Sequence, residues 1–287
     1  MTISQLATST VFDCIIVGGS FAGVSAALAM ARAMRPTLLL DTQKPCNWMV
    51  DHAHNFLGYD HSKPSDILDN AKEQLLERYN TTKVVHEKAI ELGGSNGQFT
   101  VRTESGSEYQ GKKVILATGV REVLPDIPGF EQAWGRSILH CPYCHGYEEA
   151  KKKAAYLGNG NTASMFAKMV SHWNPDLTVL TNGKSEIEDE SVLKENGIKV
   201  IQTKVKSLDV DKNGRVQKVN FVDGTSERFE ILYAHNEIEQ SVDLAQQIGC
   251  NMKGGHVEAS PSQKTSVPGV YVAGDAASPM GALAAAI

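Results

Sequence analysis

Two cysteines separated by two residues form the pattern in this chain with the clearest chemical meaning. They stand in the segment His140-Cys141-Pro142-Tyr143-Cys144-His145-Gly146-Tyr147-Glu148. This spacing lets the two sulfurs close a small disulfide ring, and Pro142 suits the first turn of a helix whose N-terminus would favour a thiolate on Cys141. His145 is the natural acid–base group beside Cys144, because an imidazole titrates near neutral pH. The segment predicts catalytic roles for Cys141, Cys144 and His145 in thiol–disulfide exchange, with His140 and Glu148 as weaker supports.

Two other interpretations of this cysteine pair stay open at the level of sequence. Zinc is one, since two histidines accompany the two cysteines, but a structural zinc site normally takes a second ligand pair from a distant segment. The chain has no second Cys-x-x-Cys, and no metal site is predicted. A pair of inert, buried thiols is the other interpretation. Redox chemistry is favoured over both.

A glycine-rich turn near the N-terminus predicts a dinucleotide site. It reads Gly18-Gly19-Ser20-Phe21-Ala22-Gly23 and stands between a run of buried-strand character and an alanine-rich helix. Such a turn directs backbone N–H groups and the helix N-terminus towards a pyrophosphate. Ser20 replaces the middle glycine of the usual pattern. Asp41 follows Gly23 by 18 residues, close to the position at which an acid binds a ribose hydroxyl; an ordinary tight turn is the alternative.

A second glycine-rich turn, Gly158-x-Gly160-x-x-Ala163, follows a later strand. The next strand ends in Thr181-Asn182-Gly183, with neither an acid for a ribose diol nor an arginine for a 2′-phosphate nearby. Nicotinamide binding and a purely structural repeat of the first turn both stay open here.

The elements around these motifs repeat one plan, a βαβ unit followed by an antiparallel meander. The final strand could rejoin the first sheet. The predicted elements are strand 11–17, a helix to about Met34, strand 37–41, helix 64–79, meander 83–114, strand 114–119, strand 154–157, a helix to about Trp173, strand 178–181, alternating segment 200–229 and strand 269–275.

Length and composition limit the class of protein. The 287 residues suggest about two domains, and 41% hydrophobic with 21% charged residues fits a globular chain with a full core. A formal net charge of −5 argues against a nucleic-acid partner, and no apolar run is long enough for a membrane span.

No basic residue precedes Arg32, so no secretory signal is predicted, and five scattered cysteines indicate a cytoplasmic, reducing location. Cys14, Cys46 and Cys250, and the loop residues His52 and His54, suggest no function by themselves.

Taken together, these motifs resemble the low-molecular-weight thioredoxin reductases, which are two-domain flavoprotein disulfide reductases. The resemblance rests on Gly18–Gly23, Asp41, Ala117-Thr118-Gly119, Gly274-Asp275 and a Cys-x-x-Cys placed before the second glycine-rich turn, and it extends from about residue 12 to 277. It implies an α/β fold of two Rossmann-like (FAD/NAD(P)-binding, three-layer ββα) domains, the second inserted into the first. Residues 1–123 and 236–287 would form the FAD-binding domain, and 124–235 the inserted nucleotide-binding-like domain with the Cys-x-x-Cys.

The resemblance also implies roles for individual residues. The FAD pyrophosphate would lie on the first turn, the adenosine ribose on Asp41 and the ribityl portion on Gly274-Asp275, while a helix starting near Met280 would point at the flavin ring. Cys144 would face the flavin and Cys141 would attack the substrate disulfide, with His145 where the family has an acid. The cofactor-binding residues implied are Gly18, Gly19, Ser20, Phe21, Ala22, Gly23, Asp41, Asn55, Ala117, Thr118, Gly119, Gly274, Asp275 and Ala282.

Two departures from the family pattern affect the predicted activity. The arginine-rich motif for the NADPH phosphate is absent after Thr181, and the loop 47–58 differs from the usual flavin loop. The chain therefore looks closer to a branch of dithiol oxidases and of thioredoxin reductase-like proteins that do not use pyridine nucleotide. We expect a homodimeric, FAD-dependent thiol–disulfide oxidoreductase acting on a thioredoxin-like protein or a small disulfide or dithiol. NADPH, a ferredoxin donor and oxygen stay open as its second redox partner, and a flavoprotein redox sensor without turnover is the rival.

Overall fold

The structure is a computed structural model that describes residues 11–278 and divides them into two compact units. Residues 11–48, 63–122 and 238–278 form the first unit, and residues 49–62 and 123–237 form the second. The first domain expected from the sequence, 1–123, included the segment 49–62. The structure groups that segment with the second unit instead.

The strands and helices are as follows in chain order. The strands are β1 (Val11–Phe12), β2 (Cys14–Val17), β3 (Thr37–Leu40), β4 (Thr82–Val85), β5 (Ala89–Ser95), β6 (Gln98–Thr103), β7 (Glu108–Gly111), β8 (Val114–Leu116), β9 (Val120–Val123), β10 (Ile138–Leu139), β11 (Ala154–Leu157), β12 (Leu177–Leu180), β13 (Lys199–Ile201), β14 (Val205–Val210), β15 (Val216–Phe221), β16 (Ser226–Glu227), β17 (Ile231–Ala234), β18 (Glu237–Gln240), β19 (Met252–Lys253), β20 (His256–Val257) and β21 (Val270–Val272). The α-helices are α1 (Phe21–Arg32), α2 (Pro64–Arg78), α3 (Phe130–Ala133), α4 (Pro142–His145), α5 (Gly160–Val170), α6 (Ser191–Glu195) and α7 (Leu244–Gln247), and a 3₁₀ helix covers Gly274–Ala276.

A five-stranded parallel sheet forms the centre of the first unit, with the order β21-β8-β2-β3-β4. Every residue of β2 and β3 is buried, which explains their continuous apolar sequence. The prediction that the last strand rejoins the first sheet is confirmed, because Val270 pairs with Val114.

Successive residues of β2 face two different layers. Ile15 and Val17 pack in one cluster with Phe99 of the mixed sheet β1-β7-β6-β5, whereas Cys14 and Ile16 pack in another cluster that includes residues of α1 and α2. This alternation follows from the two-residue period of a strand. The first unit therefore consists of helices, a parallel sheet and a mixed sheet in three layers.

The second unit repeats this arrangement. Its parallel sheet has the order β10-β17-β11-β12-β13, and β14, β15 and β16 form an antiparallel sheet. Tyr156 of β11 packs with Ala163 and Ala167 of α5, while the adjacent Ala155 belongs to a cluster with Phe221 of β15. Short side chains on α5 let the helix approach the sheet next to the second glycine-rich turn.

Three element predictions were wrong in detail. The strand expected over 11–17 is split at Asp13, whose carboxylate lies 2.7 Å from the Lys112 ammonium. Strand β1 pairs in parallel with β7, at the edge of the second sheet of this unit. Residues 83–85 were assigned to the meander 83–114 and residues 200–201 to the alternating segment 200–229, but they belong to the parallel edge strands β4 and β13. All four residues of β4 are only partly buried and Lys199 of β13 is exposed, so neither edge strand has the continuous apolar run of a central parallel strand. Helices α1 and α5 end at Arg32 and Val170, before the expected Met34 and Trp173.

Candidate functional site

Cys141 and Cys144 are joined by a disulfide, with 5.3 Å between their Cα atoms. Pro142 takes the first position of the short helix α4, and Cys141 is its N-cap residue. The backbone N–H of Cys144 donates to the Cys141 sulfur at 3.1 Å. This N–H would stabilise negative charge on Cys141 once the disulfide opens. The disulfide favours redox chemistry over both the zinc interpretation and the inert-thiol interpretation.

His145, the last residue of α4, lies half-buried beside the pair. Burial lowers the pKa of its imidazole below the ordinary value of 6.5, and the nearby rings of His140 and His54 lower it further, whereas Glu148 and Glu149 act in the opposite direction. His145 is therefore neutral at pH 7 and able to accept a proton from a thiol.

The structure adds His54, which sequence reasoning set aside as a surface loop residue. Its side chain is only 13% exposed, and its Nδ1 lies 3.5 Å from Oε1 of Glu148. The His54 and His145 rings meet edge to face with 6.5 Å between centroids. No motif could have revealed this contact, since the two histidines stand 91 positions apart in the sequence.

Asn55 stands next to His54 in the segment 49–62, within the second unit. Its backbone is left-handed, with φ of +59°, and its N–H donates to Oδ1 of Asp60 at 2.8 Å. The predicted role of Asn55 at the cofactor stays a prediction. Ala282, also predicted to contact the cofactor, lies outside the described residues, as does the helix expected near Met280.

In the first unit, the fold brings the first glycine-rich turn against two of the other predicted cofactor residues. Gly18 has φ of +111°, and a Cβ there would lie 2.0 Å from the carbonyl oxygen of Ala117. A Cβ on Gly19 would lie 2.2 Å from Cγ of Asp41. Only glycine allows this close approach of the turn to the ends of the neighbouring strands.

Helix α1 begins directly after this turn. Its N-cap residue, Ser20, makes no side-chain capping hydrogen bond, and the N-terminus of a helix favours a bound anion such as a pyrophosphate. A Cβ on Gly274 would lie 2.8 Å from Cβ of Ala22, which places Gly274 and Asp275 beside the start of the helix. Thr118 and Gly119 follow Ala117 at the carboxyl end of β8. These residues fit the pyrophosphate of FAD.

Asp41 is 4% exposed and both of its carboxylate oxygens have partners. Oδ2 lies 2.6 Å from the Lys72 ammonium, and Oδ1 accepts the Gln43 N–H at 2.8 Å. Lys72 belongs to α2, and the sequence analysis did not single it out. A carboxylate oxygen can accept more than one hydrogen bond, so Asp41 still suits a ribose hydroxyl.

The second glycine-rich turn has a different environment, because the chain after β12 folds over it. Oδ1 of Asn159 accepts the N–H groups of Gly160 at 2.9 Å and Glu186 at 2.8 Å, and Nδ2 of Asn159 donates to the carbonyl of Lys184 at 2.9 Å. Oδ1 of Asn161 accepts the N–H of Glu188 at 3.2 Å. The start of α5 is therefore hydrogen-bonded to residues 184–188, here called the capping loop.

Two α/β units, one with a dinucleotide-type turn beside a buried acid and the other with a Cys-x-x-Cys disulfide, supply the parts that a flavin-dependent disulfide oxidoreductase needs. The comparison with known families agrees. Residues 12–287 match the pyridine nucleotide-disulphide oxidoreductase family, and the chain belongs to it. This confirms the predicted family, the fold class and the assignment as an oxidoreductase enzyme.

The alignments with named relatives and with solved structures extend over almost the whole chain. It is 34% identical to thioredoxin reductase tcpT of Claviceps purpurea and 32% identical to thioredoxin reductase sirT of Leptosphaeria maculans, covering 94% of this chain and 88% of each relative. Among solved structures, the oxidoreductase from Agrobacterium tumefaciens is 33% identical with a TM-score of 0.89, covering 96% of this chain and 94% of that one. The structure of HlmI is 28% identical with a TM-score of 0.88, covering 97% and 88%.

The family binds FAD and typically NAD(P)H, which confirms the predicted cofactor. FAD, when bound, accepts or supplies two electrons. Within residues 11–278, no helix is both long enough and apolar enough to cross a membrane.

Proposed function

We propose that this protein is a FAD-dependent thiol–disulfide oxidoreductase whose Cys141–Cys144 pair exchanges electrons with a small dithiol or disulfide, or with a thioredoxin-like protein, without using NADPH. The capping loop is the observation that supports the proposal that this protein does not use NADPH. Its N–H groups donate to the side chains of Asn159 and Asn161 at the start of α5, where a Rossmann-like unit would bind the pyrophosphate of a pyridine nucleotide.

The charge around the capping loop supports the same conclusion. Residues 181–190 contain four carboxylates and one lysine, a net charge of −3. A family member that uses NADPH needs positive charge at this point to hold the 2′-phosphate. One carboxylate at about 7 Å from a phosphate charge costs about 0.6 kcal/mol even in bulk water. Three net negative charges would therefore weaken NADPH binding by about tenfold or more, before the loss of the covered helix start is counted.

The residues of the pair can carry out the exchange in two steps. A substrate thiolate attacks the Cys141 sulfur, the Cys141–Cys144 bond breaks, and Cys144 leaves with the bonding electrons. The second substrate thiol then attacks the substrate sulfur of this mixed disulfide and releases Cys141, whose negative charge is stabilised by the Cys144 N–H. His145 is the acceptor for a thiol proton. The substrate has lost two electrons and two protons, and the pair would return to its disulfide by giving the two electrons to FAD when that cofactor is bound.

The test is an anaerobic absorbance titration of the purified holoenzyme with NADPH, NADH and then dithiothreitol. We expect dithiothreitol to bleach the flavin absorbance and neither pyridine nucleotide to do so. Cys144→Ser should bind FAD normally but no longer bleach with dithiothreitol, and Cys250→Ser, a similar change at a buried cysteine of the first unit, should behave as the wild type. Rapid bleaching by NADPH would refute the nucleotide-independent part of the proposal, and bleaching of Cys144→Ser would refute the role of the pair.

The second redox partner is tested in the same cuvette. Oxygen consumption after bleaching by dithiothreitol would make the protein a dithiol oxidase, whereas reduction by a reduced ferredoxin would make it a disulfide reductase. Slow reoxidation with every disulfide and with oxygen would instead indicate a redox sensor. We also propose, from the resemblance and from cysteine usage, a homodimer located in the cytoplasm; sedimentation analysis tests the dimer.

A further inference from the structure

Oxidation of a dithiol releases two protons, but His145 can accept only one. A second acceptor near the disulfide is therefore needed if both protons are to leave through the protein. In the segment 49–62, His54 has the required position. Its ring lies 6.5 Å from that of His145 between centroids, a separation that one hydrogen-bonded water can bridge.

The loop around His54 holds the ring in place. The N–H of Ala53 donates to the carbonyl of Ser62 at 2.7 Å, and the N–H of His61 donates to the carbonyl of Ala53 at 2.8 Å. The side chain of His54 is 13% exposed and packs 5.3 Å from the His61 ring. A group fixed in this way can relay protons repeatedly without reordering its own loop.

The charges near the two histidines differ. A positive charge on His54 faces Oε1 of Glu148 at 3.5 Å and Oδ1 of Asp60 at 4.0 Å. A positive charge on His145 is disfavoured by burial and by the neighbouring imidazoles. The titratable groups facing His54 are His52, Asp60, His61, His145 and Glu148, and those facing His145 are His54, His140, Glu148 and Glu149. Glu149 is already paired with Arg215 and Lys152.

We propose that His54, oriented by Glu148, is a proton-relay residue for the Cys141–Cys144 pair, receiving the proton that His145 takes from the substrate. This inference rests on the proposed thiol–disulfide exchange. For each dithiol oxidised, two S–H bonds break and one S–S bond forms in the substrate, while the S–S bond of the pair is lost. The first proton passes from His145 to His54, and the second is then held by His145. The S–S bond of the pair would re-form when its two electrons are given to bound FAD.

The experiment measures the rate at which excess dithiothreitol bleaches the flavin of the holoenzyme in a single anaerobic turnover. The rate is recorded by stopped flow between about pH 5 and pH 8, where histidines titrate. His54→Gln keeps a polar side chain of similar size but cannot carry a proton. We expect it to slow bleaching about tenfold, below the range for a direct acid–base group because His54 acts through another residue. Added imidazole should restore part of the rate of His54→Ala.

The pH profile separates a relay from a structural role. Loss of His54 removes a neighbouring positive charge, so the pKa of His145 rises and the acid limb of the profile moves to higher pH. Glu148→Gln removes a negative charge, which moves the limb to lower pH. His52→Gln is the matched control, since His52 stacks on His61 at 4.2 Å in the same loop. It should keep both the wild-type rate and the wild-type limb.

The outcomes distinguish the relay from the proposed function itself. A wild-type protein that dithiothreitol does not bleach would refute the thiol–disulfide exchange. A wild type that bleaches while His54→Gln keeps its rate and its limb would refute only the relay. A slower His54→Gln with an unmoved limb, together with no imidazole rescue of His54→Ala, would also refute it, because a loop that is merely disturbed gives that result. If His54→Gln does not retain FAD, Glu148→Gln takes its place in the test. An acid limb that moves to lower pH in Glu148→Gln supports the relay, and a limb that stays in place or moves to higher pH refutes it.

Discussion

Replacing Lys72 by methionine tests how the fold holds the acid beside the first glycine-rich turn. The ammonium of Lys72 lies 2.6 Å from Oδ2 of Asp41, and these side chains are 17% and 6% exposed. Methionine keeps most of the aliphatic stem and removes the charge. The variant leaves Asp41 as a buried carboxylate without its cation.

The magnitude follows from the burial of the two groups. Removing one partner of a buried ion pair typically costs about 3–5 kcal/mol. Here the cost falls at the lower end, about 3 kcal/mol, because Asp41 keeps the N–H of Gln43 and some solvent reaches the position of Lys72. For a unit of this size, about 3 kcal/mol corresponds to a fall in Tm of about 10 °C.

The assay is thermal unfolding of the FAD-free protein, which keeps cofactor affinity out of the measured stability. Lys112→Met is the matched control, because Lys112 is 57% exposed and makes a comparable 2.7 Å contact with Asp13. A surface pair contributes about 0–1 kcal/mol, so that variant should lose at most about 3 °C. The double variant Asp41→Asn with Lys72→Met should recover most of the lost stability, since neither buried group is then charged.

Two results would refute this reasoning. If the Tm of Lys72→Met lies within about 2 °C of the wild-type Tm, the ion pair with Lys72 does not stabilise the buried carboxylate of Asp41. If the double variant is as unstable as Lys72→Met, the loss comes from packing of α2 rather than from an uncompensated carboxylate.

Two further predictions concern the two units separately. Gly23→Ala should lose FAD, measured as the flavin-to-protein absorbance ratio, because its Cβ would lie 1.7 Å from the carbonyl oxygen of Gly18; Gly93→Ala, where nothing lies within 4 Å, should retain FAD. Burial alone would raise the pKa of Glu149, but hydrogen bonds from Arg215 and Lys152 hold it below the ordinary 4.5. Ionised Glu149 therefore stabilises the fold above pH 4.5, and this contribution is lost as the pH falls through the lowered pKa. Glu149→Gln should unfold more readily than the wild type in urea at pH 7 by about 2 kcal/mol, with the difference shrinking in acid; an equal difference at both pH values would contradict the assignment.

The glycine-rich turn and the cysteine motif could be predicted from the sequence because local chemistry defines each of them. The turn Gly18–Gly23 needs small residues next to a buried strand, and Cys141 and Cys144 stand close enough in the chain to bond in almost any fold. The continuous apolar runs of β2 and β3 predicted strands buried on both faces for the same local reason. Edge strands such as β4 were misassigned, because their pattern reflects how much covers them rather than how they pair.

Contacts between distant segments were decided only by the tertiary structure. Lys72 meets Asp41 across 31 residues and Glu148 meets His54 across 94, and none of these side chains carries a spacing that marks its partner. The missing arginines after Thr181 could be read from the sequence, but the hydrogen bonds that fold residues 184–188 over α5 could not. The sequence by itself determined which chemical groups this protein has and which turns they occupy. Packing of the sheets and helices determined which of those groups touch, since charge and pKa depend on neighbours that the chain brings together only when it folds.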